Sequence, residues 1–313
     1  MMTDKNNQLS HLLNDPALRS VRIPYEEIHV GARIGSTSST GHFRGRWQHQ
    51  DVAIRRLSRD LGRTHCHVEE LLHQAKLAAK LRHPHIVHVY GVAWNDVNEV
   101  SVLTEFVPGG DLRTLLETYS TAKIPVGFDN VEKVRIAYEI ALALRFMHSA
   151  RVMHRNLKSR SIFLSKRGDV KVMAFGTACN MDENYKRTRA GTIRWMAPEV
   201  LKGRAYDASA DIFSFGAVLA ELDNFKRPYE YDDADHAVQG GKLTEIEVAR
   251  FVIRKKLSIR FSRCQSTCPE MIDMYNLAMA CVAFDPNDRP SVQDVLNVLK
   301  RALKMLAIGI IGT

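Results

Sequence analysis

Residues Val170–Ala178, VKVMAFGTA, are the first place where the chain could be expected to do chemistry. β-favouring residues run into Ala-Phe-Gly, so a strand meets a turn, and a small apolar side chain, Ala174, closes the strand. Many phosphoryl-transfer enzymes carry a metal-binding aspartate in such a slot, because hard divalent cations need oxygen donors. A methyl group offers none. Cys264 and Cys268 could form half of a metal site, but no second Cys/His pair has matching spacing. The five cysteines, Cys66, Cys179, Cys264, Cys268 and Cys281, therefore read as free thiols in a reducing compartment. Among the 13 histidines, no two sit at metal-ligand spacing on a helix with a carboxylate, so they read as surface polar residues.

The elements that would position such groups change character along the chain. Residues 1–27 are polar and read as a lead-in, with LLNDPALRSV a short amphipathic turn. EIHVGARIG and HFRGRWQHQDVAIRRL read as strands, with β-branched residues alternating around glycines. HCHVEELLHQAKLAAKLR has helical apolar spacing and stops before His83-Pro84. HIVHVYGVAW and EVSVLTEFV are again strand-like, and PGGD interrupts the pattern. Long helical segments follow, including VEKVRIAYEIALALRFMHSA and PSVQDVLNVLKRAL, and ADIFSFGAVLAEL is apolar all round, as a buried central helix must be. A strand-rich front joined by a Pro-Gly-Gly hinge to a helical back implies two lobes with a cleft.

Composition bounds the class. The chain's 313 residues, 45% hydrophobic and 25% charged, are those of a globular protein with a substantial core. No stretch approaches the roughly 20 apolar residues that span a bilayer, and the start lacks the basic-then-apolar order of a secretory signal. The apolar tail MLAIGIIGT is too short to span and reads as packing or fraying. Lys+Arg 44 against Asp+Glu 35 gives +9, but the basic residues are scattered, which favours a solvated basic surface over a nucleic-acid face.

Nine segments, taken in order, resemble the protein kinase domain, specifically the tyrosine-kinase-like group of serine/threonine kinases: IGSTSSTGHFRGRW, VAIRRL, LRHPHIVHVYGVAW, LTEFVPGGDL, VMHRNLKSRSIFL, AFG, GTIRWMAPEVL, YDASADIFSFGAVLAEL and FDPNDRPS. The resemblance covers about residues 28 to 302. It implies an α+β, two-lobed kinase-like fold: a small antiparallel β-sheet lobe with one main helix (28–107), a larger mostly helical lobe (108–302), and a short apolar tail (303–313).

The resemblance also assigns positions, and several carry the wrong chemistry. Around the nucleotide it places Gly35, His42, Ala53, Arg55, Thr104, Phe106 and Phe163. Only the first loop glycine, Gly35, is kept; Thr37 and Thr40 fill the next two, Gly41 follows one residue late, and His42 replaces the valine that roofs the adenine. Arg55 replaces the phosphate-contacting lysine, and its wide planar head makes the exchange non-conservative. Gln74 replaces the helix glutamate that pairs with that lysine. His154-Arg155-Asn156 replaces His-Arg-Asp, and a neutral amide has no basicity toward a substrate hydroxyl. Ser161 and Ala174 replace the asparagine and aspartate that hold Mg²⁺. The scaffold positions are kept: His154, Phe175 and Gly176 of an internal spine, Glu199 and its partner Arg289, Asp211 beneath the catalytic loop, and Arg155, Lys158 and Trp195.

These five losses, Arg55, Gln74, Asn156, Ser161 and Ala174, imply a catalytically inactive pseudokinase in the cytoplasm. It would bind other signalling proteins, an active kinase among them, and need no cofactor. The alternative for the pocket is weak, Mg-independent ATP binding. One competing function is an active serine/threonine kinase with rearranged groups, Lys158 near the substrate and Asp169 at the metal. The other is a basic nucleic-acid-binding module, supported by charge alone. Thr188 and Thr192 are candidate phosphosites with Arg155 as acceptor, against a structural hydroxyl for Thr192 and an ordinary loop threonine for Thr188. The acidic 232–235 run reads as a solvated insertion or docking loop. Arg55, facing neutral Gln74, has two courses: to turn its fork to Glu70, one helical turn earlier on the same face, or to turn out to solvent.

Overall fold

Val52 and Ile54 are fully covered while their neighbours Ala53 and Arg55 are only half so, the period-two mark of a strand with one sealed face. They lie on β3 (Gln50–Leu57) of a five-stranded sheet with β1 (His29–Ser36), β2 (Thr40–Trp47), β4 (Val89–Ala93) and β5 (Ser101–Glu105). The order is β1-β2-β3-β5-β4, and every pairing is antiparallel. The structure is a computed structural model that describes residues 15–36, 40–57, 65–95, 100–121, 128–174, 176, 178–181, 191–230, 243–262 and 269–311. The chain divides into two units: unit 1 runs to Pro108 and includes Ala174–Ala178, and unit 2 is Gly109–Met173 with Cys179–Thr313.

In unit 1, Val52, Ile54, Ala93 and Leu103 pack with Ile23 and Ile28. A second cluster joins Val92 and Val102 to Val68, Leu71, Leu72 and Ala75 of the one main helix of this unit, α2 (His65–Ala78). The strand-like stretch from His42 to Leu57 is a hairpin. It turns at Gln48 and His49, both left-handed at φ 47 and φ 64, which is the backbone a two-residue hairpin needs.

The lead-in is more than polar chain. Asp15 caps α1 (Pro16–Arg19) by accepting from the Ala17 N–H, and also pairs with Lys76 of α2 at 2.6 Å. Leu18 enters the α2 cluster at 2% exposure. Beyond it, Ile23 N–H donates to Val92 O and Val92 N–H to Val21 O, so the segment strings itself along β4. The sequence marks LLNDPALRSV as an amphipathic turn but not the partners of Leu18, which come together only in three dimensions.

Unit 2 is mostly helical: α3 (Leu112–Thr121), α4 (Asn130–Ser149), α5 (Pro198–Leu201), α6 (Ser209–Asn224), α7 (Glu245–Ile253), α8 (Pro269–Cys281) and α9 (Val292–Ile311). Two small antiparallel pairs accompany them, β6 (Val152–Met153) with β9 (Cys179–Asn180), and β7 (Ile162–Leu164) with β8 (Val170–Val172). Every residue from Ala210 to Leu222 is buried, which explains the all-round apolar character of α6. The tail assigned to 303–313 continues α9 as far as Ile311 rather than starting anew. α8 was not foreseen. An antiparallel sheet with one main helix, and a mostly helical unit, are the two lobes expected. No helix among the described residues is long and apolar enough to cross a membrane.

Candidate functional site

On unit 1, strand pairing brings His42, Ala53, Arg55 and Thr104 of the predicted nucleotide positions onto one sheet face. His42 lies opposite Arg55 across β2–β3, and Arg44 and Thr104 flank Ala53 from the two neighbouring strands. Gly35 pairs with His42 at an irregularity of β1. The Arg44 guanidinium stands 4.8 Å over the Phe106 ring and bonds Asp51 at 2.6 Å. Burial, then the Arg55 charge, holds the His42 imidazole below its ordinary range. His42 therefore favours the neutral form beside a permanent cation.

Arg55 does not fork onto Glu70. Its Nε donates to Thr40 Oγ1 at 3.1 Å, while the Glu70 carboxylate accepts from Gln74 Nε2 at 3.0 Å. Glu70 acts on Arg55 as a nearby charge, opposing the burial that lowers the guanidinium pKa. The physical reason is Gln74: buried at 8% exposure, its amide can donate twice, and the second bond goes to Gly176 O at 2.6 Å. Gly176 is at φ 126, a backbone that calls for glycine, and Arg55 Nη1 lies 3.3 Å from where a Cβ would stand. Helix α2 is thereby tied to the turn after Ala174 by a neutral amide. Ala174 itself is buried at 4% exposure.

This arrangement makes a counterintuitive prediction. Restoring the family's acid with Gln74→Glu should destabilise the protein by about 1–3 kcal/mol, since a carboxylate cannot donate to Gly176 O and leaves that carbonyl without its partner. Denaturant melts of the variant beside Gln74→Ala check it. A more stable Gln74→Glu protein would mean that the amide tie is not what holds α2.

On unit 2, the loop after β6 hangs from one buried carboxylate. Asp211 of α6 accepts from the backbone N–H groups of His154 and Arg155, both at 2.8 Å, and from His148 Nε2 at 2.9 Å. Burial alone would raise its pKa, but His148, His154 and the backbone donors outweigh that and leave it lowered. The Asn156 N–H donates to His154 Nδ1 at 3.2 Å, so Nε2 carries the proton and donates to Met173 O at 3.0 Å.

Asn156, Lys158 and Thr192 form one chain of bonds. Lys158 Nζ donates to Thr192 Oγ1 at 2.6 Å, and that hydroxyl donates on to Asn156 Oδ1 at 3.0 Å. A lysine only donates, so the hydroxyl proton is free to turn toward the amide oxygen, and this selects the Asn156 rotamer with its NH₂ facing away. Burial, then the Arg160 charge, lowers the Lys158 pKa, against Glu221 and Glu245. Ser161 folds back on its own loop: its hydroxyl accepts from Lys158 N–H at 3.0 Å and donates to Lys158 O at 2.8 Å.

Taken each in its own unit, the two positions that the family gives to Mg²⁺ lack its ligands: Ser161 of unit 2 keeps its hydroxyl on the Lys158 backbone, and Ala174 of unit 1 is a buried methyl with no oxygen to offer. No group of three His, Cys, Asp or Glu among the described residues could hold a metal. Phe163 sits on β7 opposite Lys171, and Asp169 receives a 2.8 Å bond from Ser165 in the β7–β8 turn. Glu199 and Arg289 form a bidentate pair at 2.7 and 2.8 Å. Thr37, Phe175, Thr188, Cys264, Cys268 and the 232–235 run lie outside the described residues, as does the Cys66 side chain.

Sequence reasoning overlooked Glu221. It is fully buried in α6 and accepts from Trp195 Nε1 at 2.7 Å and from Ser159 Oγ at 2.6 Å, with Arg113 Nη1 at 3.6 Å. Burial raises its pKa, and those bonds oppose the rise. An acid inside the apolar run AVLAEL was the signal available.

The model of the protein kinase domain matches residues 28–299. The RasGEF domain-containing serine/threonine-protein kinase X of Dictyostelium discoideum is 32% identical over 282 residues, which is 89% of this chain and 27% of that protein. The probable serine/threonine-protein kinase SIS8 of Arabidopsis thaliana is 31% identical over 289 residues, 90% of this chain and 26% of that protein. The chain thus spans about a quarter of the length of these two relatives. With a family model running from the first strand into the last helix, and serine/threonine kinases as relatives, this chain belongs to the protein kinase domain family.

Proposed function

We propose that the chain is a pseudokinase of the tyrosine-kinase-like group, a kinase-fold protein that regulates or scaffolds other signalling proteins in the cytoplasm without transferring phosphate. The observation that carries this reading is the Lys158–Thr192–Asn156 chain. It fixes Asn156 through its Oδ1 in the place of the family's aspartate, and an amide oxygen has no basicity toward a substrate hydroxyl. The metal positions add to it, since a typical kinase rate of about 1–100 s⁻¹ depends on groups that Ser161 and Ala174 do not supply. Free thiols at Cys179 and Cys281 are in keeping with a reducing compartment.

A second reading, an active kinase with rearranged groups, is favoured by the kinase names of the relatives. Labelled-phosphate transfer from ATP, with Mg²⁺ or Mn²⁺, to the chain itself and to general protein substrates separates the two. The expected result is no incorporation above a pocket-blocked control, and no rescue by Ala174→Asp alone, because base and second metal ligand stay absent. Incorporation that disappears with Lys158→Met would establish the second reading instead.

A further inference from the structure

Unit 2 carries a cationic cluster that the kinase-type positions do not use. Lys202 caps the end of α5, and its ammonium lies 4.1 Å from the centroid of the Phe284 ring. Lys255, just past α7, places its ammonium 4.4 Å from the same centroid. Arg204 follows two residues after Lys202, its N–H donating to Glu199 O. Neither lysine forms an ion pair with a carboxylate among the described residues. Glu199, whose charge reaches Lys202, has both oxygens on Arg289.

A π face attracts each cation but does nothing to separate two of them. Burial, then the charges of Arg204 and Lys255, keeps the Lys202 ammonium below the usual lysine range. The backbone compounds the oddity. Lys255 is left-handed at φ 57, at the helix-closing position where its N–H bonds Val252 O and the Lys256 N–H bonds Phe251 O. Glycine takes that position without steric cost, whereas lysine is strained there. The chain therefore keeps a strained lysine aimed at a ring already shared with another cation.

We propose that Lys202 and Lys255, which share the Phe284 ring, form a binding site for a phosphate monoester. A phosphate monoester brings between one and two negative charges and three acceptor oxygens, enough to bridge two ammoniums. A carboxylate brings one charge and would leave one of the two ammoniums unneutralised. The phosphate comes either free or on a phosphorylated side chain of a partner protein. The site is independent of whether the chain transfers phosphate.

The test titrates the full chain with inorganic phosphate, with a phosphoserine peptide and with its unphosphorylated counterpart, followed by the ammonium and ¹³Cε NMR signals of the lysines. Phosphate and phosphopeptide should shift Lys202 and Lys255, and the unphosphorylated peptide should not. Shifts by phosphate alone would assign the site to the free ion, and tighter phosphopeptide binding would assign it to a partner protein. Lys202→Gln with Lys255→Gln should weaken binding at least about tenfold, while Lys300→Gln with Lys304→Gln, on α9, should leave it unchanged. Lys255→Gly gives a second, independent readout: it relieves the strained backbone, so the melting temperature should rise while binding falls. Equal binding by all variants, or equal loss in the α9 control, overturns the proposal, as does a Lys255→Gly protein with unchanged binding.

Discussion

Replacing Arg289 with alanine should cost about 3–5 kcal/mol of stability, the penalty for stranding one partner of a buried ion pair. The guanidinium side chain is fully covered, donates to both Glu199 oxygens, and adds bonds to Ala283 O at 2.9 Å and Ser209 O at 3.0 Å. It also stands 5.1 Å over the Phe213 ring of α6. Without it, a carboxylate at 7% exposure loses the cation bonded to both its oxygens, and two backbone carbonyls lose a donor. Removing both charges together, as Glu199→Leu with Arg289→Met, should recover most of the loss, because a buried pair is worth little against apolar groups of similar volume. Urea unfolding of the unaltered chain and of the two variants measures this. A single variant costing under about 1 kcal/mol, the range of an exposed pair, would mean that the pair is solvated in solution.

The second large effect lies outside the residues matched by the family model. Leu18→Ala should destabilise by about 2–5 kcal/mol, the usual loss for emptying a packed leucine site. Leu18 is packed among Val68, Leu71, Leu72 and Ala75, and its four-residue helix is too short to hold itself without tertiary contacts. Asp15→Asn should cost far less by comparison, since the Asp15–Lys76 pair is exposed enough for solvent to screen it. Amide exchange across α2 should accelerate in the leucine variant and barely change in the asparagine one. Unaltered exchange on Leu18→Ala would show that the segment rides on α2 without supporting it.

Legibility followed sequence separation. Local signals were readable: the helix stop before His83-Pro84, the break at Gly110, now seen at φ 78, and the alternation that seals Val52 and Ile54 while leaving Ala53 and Arg55 half-covered. The Gln48–His49 hairpin escaped because neither residue is the glycine or asparagine that usually marks such a turn. Partners chosen by the fold were not readable at all. Gln74 meets Gly176 102 residues away, which is why Glu70, four residues off, looked the better mate for Arg55. Thr192 meets Asn156 across 36 residues, and without that bond the loss of basicity at Asn156 was a statement about residue type alone. Ser161 was read as an absence, yet its hydroxyl closes the loop.

The central claim, that this kinase-fold chain holds no Mg·ATP and needs none to keep its shape, is tested most directly by ATP-induced stabilisation with and without Mg²⁺. Ala174 in unit 1 carries no oxygen, Ser161 in unit 2 keeps its hydroxyl on its own loop, and Gln74 ties α2 to Gly176 without a nucleotide. The account predicts that sub-millimolar ATP produces little or no stabilisation, and that adding Mg²⁺ or a chelator changes nothing. A ligand at about 100 times its Kd stabilises a protein by roughly 2.7 kcal/mol. A shift of that order at sub-millimolar ATP, abolished by chelation, would contradict it.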